Sequence, residues 1–170
     1  MNGTLSYQTA VNVPASEAWL IYGTLQLAYI CVPELFESIK PLKGNGEAGT
    51  IIQITTIPGI CLSSPRELDF VTKYVRSLFY MYEDKLAMVD NKTMMKQVEA
   101  HKGGYLSLGF NMFGVRFEVI KKNETSCITK VTIIYDLKEG YIANTVHVSI
   151  EPFIALVKYS NNYLVNNHKK

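Results

Sequence analysis

Residues 44–50 of this 170-residue chain read GNGEAGT, a G-x-G-x-x-G pattern, and the run immediately after it limits the folds open to the sequence. A dinucleotide-binding loop of that pattern must open a helix, so that N-terminal amides meet a pyrophosphate. Here the next residues are Thr50-Ile51-Ile52-Gln53-Ile54-Thr55-Thr56-Ile57, closed by Pro58-Gly59. β-Branched side chains pack well on a pleated surface and are poor helix formers. Residues 38–43 also read as extended. The glycines are therefore expected at the tip of an antiparallel hairpin over residues 38–57, where they supply positive φ angles. A Rossmann-type enzyme is excluded.

A chain of this length is expected to form one domain with a substantial core. Its 48% hydrophobic and 19% charged residues argue against disorder. A net charge of +2 sets up no global field for nucleic acid or an anionic membrane, so neither is an expected partner. Cys31, Cys61 and Cys127 are widely spaced, without a C-x-x-C pair, so no metal site is expected. Reduced thiols in a cytoplasmic protein are the economical reading. No run approaches the ~18 apolar residues of a membrane span, and no signal-peptide pattern is visible. Three Asn-x-Thr matches, at Asn2, Asn91 and Asn123, are read as chance.

Periodicity predicts a strand over residues 3–13, then a helix starting at Pro14, a residue tolerated in a first turn. A second short helix is expected around residues 25–31. After the hairpin come strands over 80–89, 93–100, 105–120 and 125–137. Pro152, Phe153, Leu156, Val157, Ser160 and Leu164 recur at helical spacing, predicting an amphipathic helix over 152–166. Residues 140–151 form its approach, as a loop or a shorter helix. The order is α+β, with the last helix covering one face of an antiparallel sheet. A sheet curved around one helix tends to leave internal space, which eleven tyrosines and six methionines suit. Composition alone, however, favours an ordinary packed core over a ligand pocket.

Several stretches together carry a family resemblance. They are Pro14-Ala15-Ser16-Glu17-Ala18-Trp19, Val32-Pro33-Glu34-Leu35, the GNGEAGTI run at 44–51, Met88-Val89-Asp90-Asn91, residues 101–109 (HKGGYLSLG), and Thr125-Ser126-Cys127-Ile128. In order and across nearly the whole chain, they resemble plant pathogenesis-related proteins of the birch-pollen-allergen superfamily, and more narrowly their norcoclaurine-synthase branch. The resemblance implies a helix-grip (START-like) fold: a seven-stranded curved antiparallel sheet gripping a long C-terminal helix around an apolar cavity. It implies either condensation of amines with aldehydes during alkaloid formation or the binding and carriage of small hydrophobic plant metabolites or hormones. The family's active-site Tyr-x-Glu pair falls on Tyr82-Glu83-Asp84, so Tyr82 matches and the glutamate is replaced by Asp84. Its catalytic lysine falls on Lys96. Its second acid falls on Val115.

Strand alternation independently puts Tyr82 and Asp84 on one face of their strand. Met94, Lys96 and Val98 share a face on the next, as do Asn111, Phe113, Val115 and Phe117 on the third. Two placements of these charges stand open. Facing a cavity, Lys96 is an ammonium among apolar neighbours, able to donate a proton or form a Schiff base, with Asp84 as proton acceptor and Tyr82 as orienting group. Facing outward, Lys96 and Asp84 are ordinary solvated residues. The expected ligand-binding walls are Met94, Tyr105, Phe113, Val115, Phe117, Phe153 and Val157. His101, His147 and His168 lack Ser or Cys partners in a catalytic arrangement.

Residues 61–79 form an insertion longer than the loop that the resemblance implies. Ser64-Pro65-Arg66-Glu67 has capping-box form, and Leu68, Val71, Val75 and Leu78 recur at helical spacing, as in a lid helix. The helix is the favoured reading, although Phe70, Val71, Tyr74 and Val75 also suit an extension of the next strand. The expected activity needs no cofactor. The expected partner is a small hydrophobic or aromatic ligand, acting on a monomer or weak homodimer; a nuclease role finds no basic groove to support it.

Overall fold

The computed structural model describes residues 1–25, 27, 30, 36–56 and 79–168. The inserted segment, apart from Phe79, lies outside the described residues, as does most of the short helix expected around 25–31. Strand β1 (Asn2–Val11) leads through Pro14 into α1 (Ala15–Tyr22). Then come β2 (Phe36–Lys43), β3 (Ile51–Thr56), β4 (Met81–Asp90) and β5 (Met95–Lys102). A 3-10 turn, Gly104–Leu108, precedes β6 (Phe110–Lys121) and β7 (Cys127–Leu137). A second 3-10 turn, Ile142–His147, occupies the approach to α2 (Glu151–His168). Among the described residues the seven strands form one antiparallel sheet in the order β1-β7-β6-β5-β4-β3-β2.

The hairpin forms as the β-branched run requires. Ile52 and Ile54 turn inward, and Gly44, Gly46 and Gly49 adopt φ values of 97°, 99° and 92° at the tip. Main-chain bonds Gly49 N–H to Leu86 O (2.7 Å) and Leu86 N–H to Thr50 O (2.8 Å) fasten that tip to β4.

The apolar interior is divided. A larger cluster joins α1 and α2 to β1, β6 and β7, with Val13, Ala18, Tyr22, Val131, Ile133 and Val157 wholly buried. A smaller one unites Phe36, Ile39, Ile52, Ile54 and Leu86 on β2–β4, and Leu156 of α2 packs against both. Polar side chains inside the larger cluster are satisfied locally. The Tyr22 hydroxyl donates to Asn161 Oδ1 at 2.9 Å, and Asn161 Nδ2 donates to Thr129 Oγ1 at 2.9 Å. This chain of bonds fixes α2 against both α1 and β7. Asn161→Ala should lower stability by about 1–3 kcal/mol, because it strips partners from buried hydroxyls. Thermal unfolding should report a fall of roughly 2–4 °C per kcal/mol.

The expected strand over 105–120 is corrected in its first part. Gly103 (φ 71°) and Gly104 (φ 54°) turn the chain left-handed, Gly109 (φ 86°) does so again, and the ladder begins only at Phe110. A register shift between Phe110 and Met112 then moves Asn111 outward, against the expected alternation. Asn111 is exposed and its amide donates to Asp136 at 2.8 Å.

Candidate active site

Between the two packed clusters lies a cavity of about 200 Å³. Three successive strands present their inner faces to it. On β4, Tyr82 and Asp84 point in together; on β5, Lys96, Val98 and Ala100; on β6, Phe113, Val115 and Phe117. The Gly103–Gly104 bend brings Tyr105 over the same space, where its ring stacks on Phe113 with centroids 3.6 Å apart and planes 5° apart. A Cβ on Gly104 would lie 3.6 Å from Tyr82, so the bend packs directly on the candidate residues. Phe79, edge-on to both Tyr82 and Tyr105, closes an aromatic corner. From α2, Pro152, Phe153 and Leu156 complete the wall.

Of the sequence-predicted residues, Tyr82, Asp84, Lys96, Tyr105, Phe113, Val115, Phe117 and Phe153 meet at this hollow. Two do not. Met94 sits in the turn before β5 with φ 53°, which breaks the alternation with Lys96, and it packs on the larger core. Val157 lies one position past Leu156, so the helix turns it about 100° away into the closed core beneath Tyr22. Alternation missed the walls supplied by Leu25, Leu27, Phe36, Ile39, Ile52 and Ile54. The inward isoleucines of β3 were readable from the period-two pattern, whereas the residues after α1 carried no such signal.

Lys96 is 3% exposed, which disposes of the outward placement. Its ammonium donates to the main-chain carbonyl of Thr24 at 2.5 Å and stands 5.4 Å from the centre of the Phe117 ring. Burial depresses its pKa to about 7, because an apolar surround disfavours the charged form. Burial acts oppositely on Asp84, pushing the carboxyl up to about 7. Among the described residues these two make no ion pair within 4 Å. Both line the hollow, and among the described residues neither has a charged partner. Tyr82 is held well above the ordinary phenol value by burial, then by the Asp84 charge and Tyr105, so it stays a neutral hydroxyl. Burial likewise raises Tyr105 to about 12. Among the described residues no His/Cys/Asp/Glu cluster has the makings of a metal site. No helix among them is long and apolar enough to cross a membrane.

Comparison with known proteins agrees with this fold. No family model matches the chain. Norbelladine synthase of Narcissus pseudonarcissus is 27% identical over 162 residues, 92% of this chain and 88% of that protein. S-norcoclaurine synthase 1 of Papaver somniferum is 25% identical over 166 residues; the match spans 95% of this chain but 64% of the poppy enzyme. The structure of Thalictrum flavum norcoclaurine synthase in complex with dopamine and hydroxybenzaldehyde superposes with a TM-score of 0.77 at 22% identity, covering 98% of this chain and 88% of that one. Major latex-like protein 151 of Panax ginseng superposes at 0.65 with 13% identity, covering 98% and 97%. The chain has the helix-grip fold of the birch-pollen-allergen superfamily, and its relatives by sequence are norbelladine and norcoclaurine synthases.

Proposed function

We propose that this chain condenses an aryl-ethylamine with an aldehyde to an imine at the hollow, Lys96 acting as general acid, Asp84 as general base and Tyr82 as the group that orients the guest. The observation that carries the reading is one apolar, aromatic-lined cavity into which an amine and a carboxyl both project, each brought close to neutrality by burial. General acid–base groups work best when their pKa lies near the working pH. The relatives point the same way, since the Thalictrum enzyme holds an aryl-ethylamine and an aldehyde together.

The proton transfers close on themselves. Asp84 as carboxylate takes a proton from the substrate ammonium, freeing the nitrogen lone pair. That nitrogen attacks the carbonyl carbon while the Lys96 ammonium protonates the carbonyl oxygen. The nitrogen of the adduct returns a proton to Lys96, and the carboxylic acid of Asp84 protonates the hydroxyl, which leaves as water. Ammonium and aldehyde thus become iminium and water, with both side chains restored. Val115 places an apolar side chain where the family pattern has a second acid, so Asp84 is the one carboxyl on the hollow among the described residues. The iminium is therefore the product we assign, and ring closure would require Asp84 to act a second time.

Incubation with dopamine and hydroxybenzaldehyde, with borohydride reduction and mass detection of the secondary amine, tests the reading. Product should form faster than in buffer alone. Background-level product together with tight binding of both compounds would instead make the chain a carrier of hydrophobic metabolites.

A further inference from the structure

A condensation needs room for two partners, and the hollow that holds Lys96 and Asp84 is too small for both. An apolar cavity of about 150 Å³ is filled by a single benzene ring. At about 200 Å³ this first hollow holds one aromatic ring with a short polar tail, leaving the substituent of the second partner unplaced. Beside it lies a second hollow of about 340 Å³, lined by Thr24, Leu25, Ile30, Ile39, Pro41 and Ile52. Among the described residues Leu25, Ile39 and Ile52 belong to both walls, so the two spaces adjoin at these side chains.

The charges assign the partners. Asp84 lines only the first hollow, among the aromatic rings of Tyr82, Tyr105 and Phe113. Lys96 reaches the boundary: its ammonium bonds the carbonyl of Thr24, a residue of the second wall. The Thr24 hydroxyl is already committed to the Ile21 carbonyl at 2.9 Å, and among the described residues the remaining lining is aliphatic. Among the described residues the second hollow thus offers an apolar substituent packing surfaces and offers a charged one no partner.

We infer that the second hollow is the subsite for the apolar substituent of the carbonyl partner, with the amine's ring in the first hollow and the carbonyl itself at Lys96 where the two meet. This assignment rests on the condensation reading for the identity of the occupant. It makes Ile30, which lines only the second hollow, a residue that sets aldehyde specificity.

Ile30→Phe fills that space. It should raise the KM for hydroxybenzaldehyde by about tenfold or more, the scale of losing a methylene or two of pocket. The KM for dopamine should stay put, and so should the KM for acetaldehyde, whose substituent is a single methyl group. Ile30→Ala is the complementary variant, expected to raise kcat/KM for naphthaldehyde relative to hydroxybenzaldehyde, and thermal unfolding of both variants checks that they fold. A rise in both KM values together, or no change in either alongside no naphthaldehyde gain, overturns the subsite. If the unaltered protein condenses nothing, the enzymatic reading fails separately. Hydroxybenzyl alcohol, an unreactive analogue, then decides: saturable binding in the presence of saturating dopamine, lost in Ile30→Phe, upholds the subsite. Absent or unaltered binding rejects it.

Discussion

Replacing Lys96 by methionine should reduce amine–aldehyde condensation by about 10²–10⁴-fold, the usual worth of a positioned general acid, while leaving the protein folded. The second half of that expectation separates a catalytic lysine from a structural one. Methionine fills a similar apolar volume and carries no charge to desolvate. The native ammonium is 3% exposed, and its pKa falls from 10.5 to about 7. At roughly 1.4 kcal/mol per unit, that depression sets a penalty of several kcal/mol against the fold. Against it stands the Thr24 carbonyl, which loses its donor at a cost of about 1–3 kcal/mol. Thermal unfolding at neutral pH should therefore show Lys96→Met no less stable than the parent. Proton binding sets the sign of the pH dependence: between about pH 7 and 10.5 the unfolded lysine holds a proton that the folded one has released. The parent regains stability as pH rises through that window, and the advantage of the methionine variant shrinks with it. Full turnover in a folded Lys96→Met protein would remove lysine from the mechanism.

Asp84→Asn should cost activity on a similar scale, roughly 10²–10⁴-fold, and should also reshape the pH profile. In the parent, Asp84 must be ionised and Lys96 protonated, yet burial brings both groups to about 7 from opposite sides. Activity should rise with pH as the carboxyl ionises and fall as the ammonium is lost, giving a narrow bell centred near neutrality. If the two titrated independently, about a quarter of the molecules would carry the productive pair at the peak; attraction between the charges raises that share and broadens the bell, whose limbs belong to the pair. Asp84→Asn should lose the acidic limb and keep the alkaline one. Asp84→Glu should keep both, with the carboxylate one methylene further into the hollow. The raised Asp84 pKa also means that the folded state releases this proton later than the unfolded chain does. Its contribution to stability declines as pH climbs from the ordinary carboxylate range to about 7. A profile unchanged by Asp84→Asn would sink the assignment of the base.

The sequence made the scaffold legible wherever side-chain period and turn chemistry agreed. The isoleucine-threonine run of β3 and the glycines ahead of it could serve only as a hairpin, and alternation placed Tyr82 beside Asp84 and Lys96 beside Val98. Legibility failed where the backbone left the regular lattice. Met94 breaks the period through a left-handed φ that its residue type does not advertise. Asn111 does so through a register shift one residue into β6. The 3-10 turn over Gly104–Leu108 was signalled by Gly103, Gly104 and Gly109, punctuation that an apolar run from Tyr105 onward masks. The Thr24 carbonyl that receives the Lys96 ammonium had no signal at all, since any residue carries a carbonyl and only the folded chain brings this one to the site.

The division of the interior into two packed clusters also governs how the molecule meets hydrostatic pressure. Voids vanish when a chain unfolds, so squeezing favours the unfolded state more in a hollow protein than in a solid one. A purely apolar void resists filling, because water needs two to four polar partners to settle inside. Here the Asp84 carboxyl, the Lys96 ammonium and the tyrosine hydroxyls supply such partners on the wall of the space. Compression should therefore flood the chamber around those polar groups before the sheet gives way, and a bound guest, by occupying the same volume, should stiffen the whole fold.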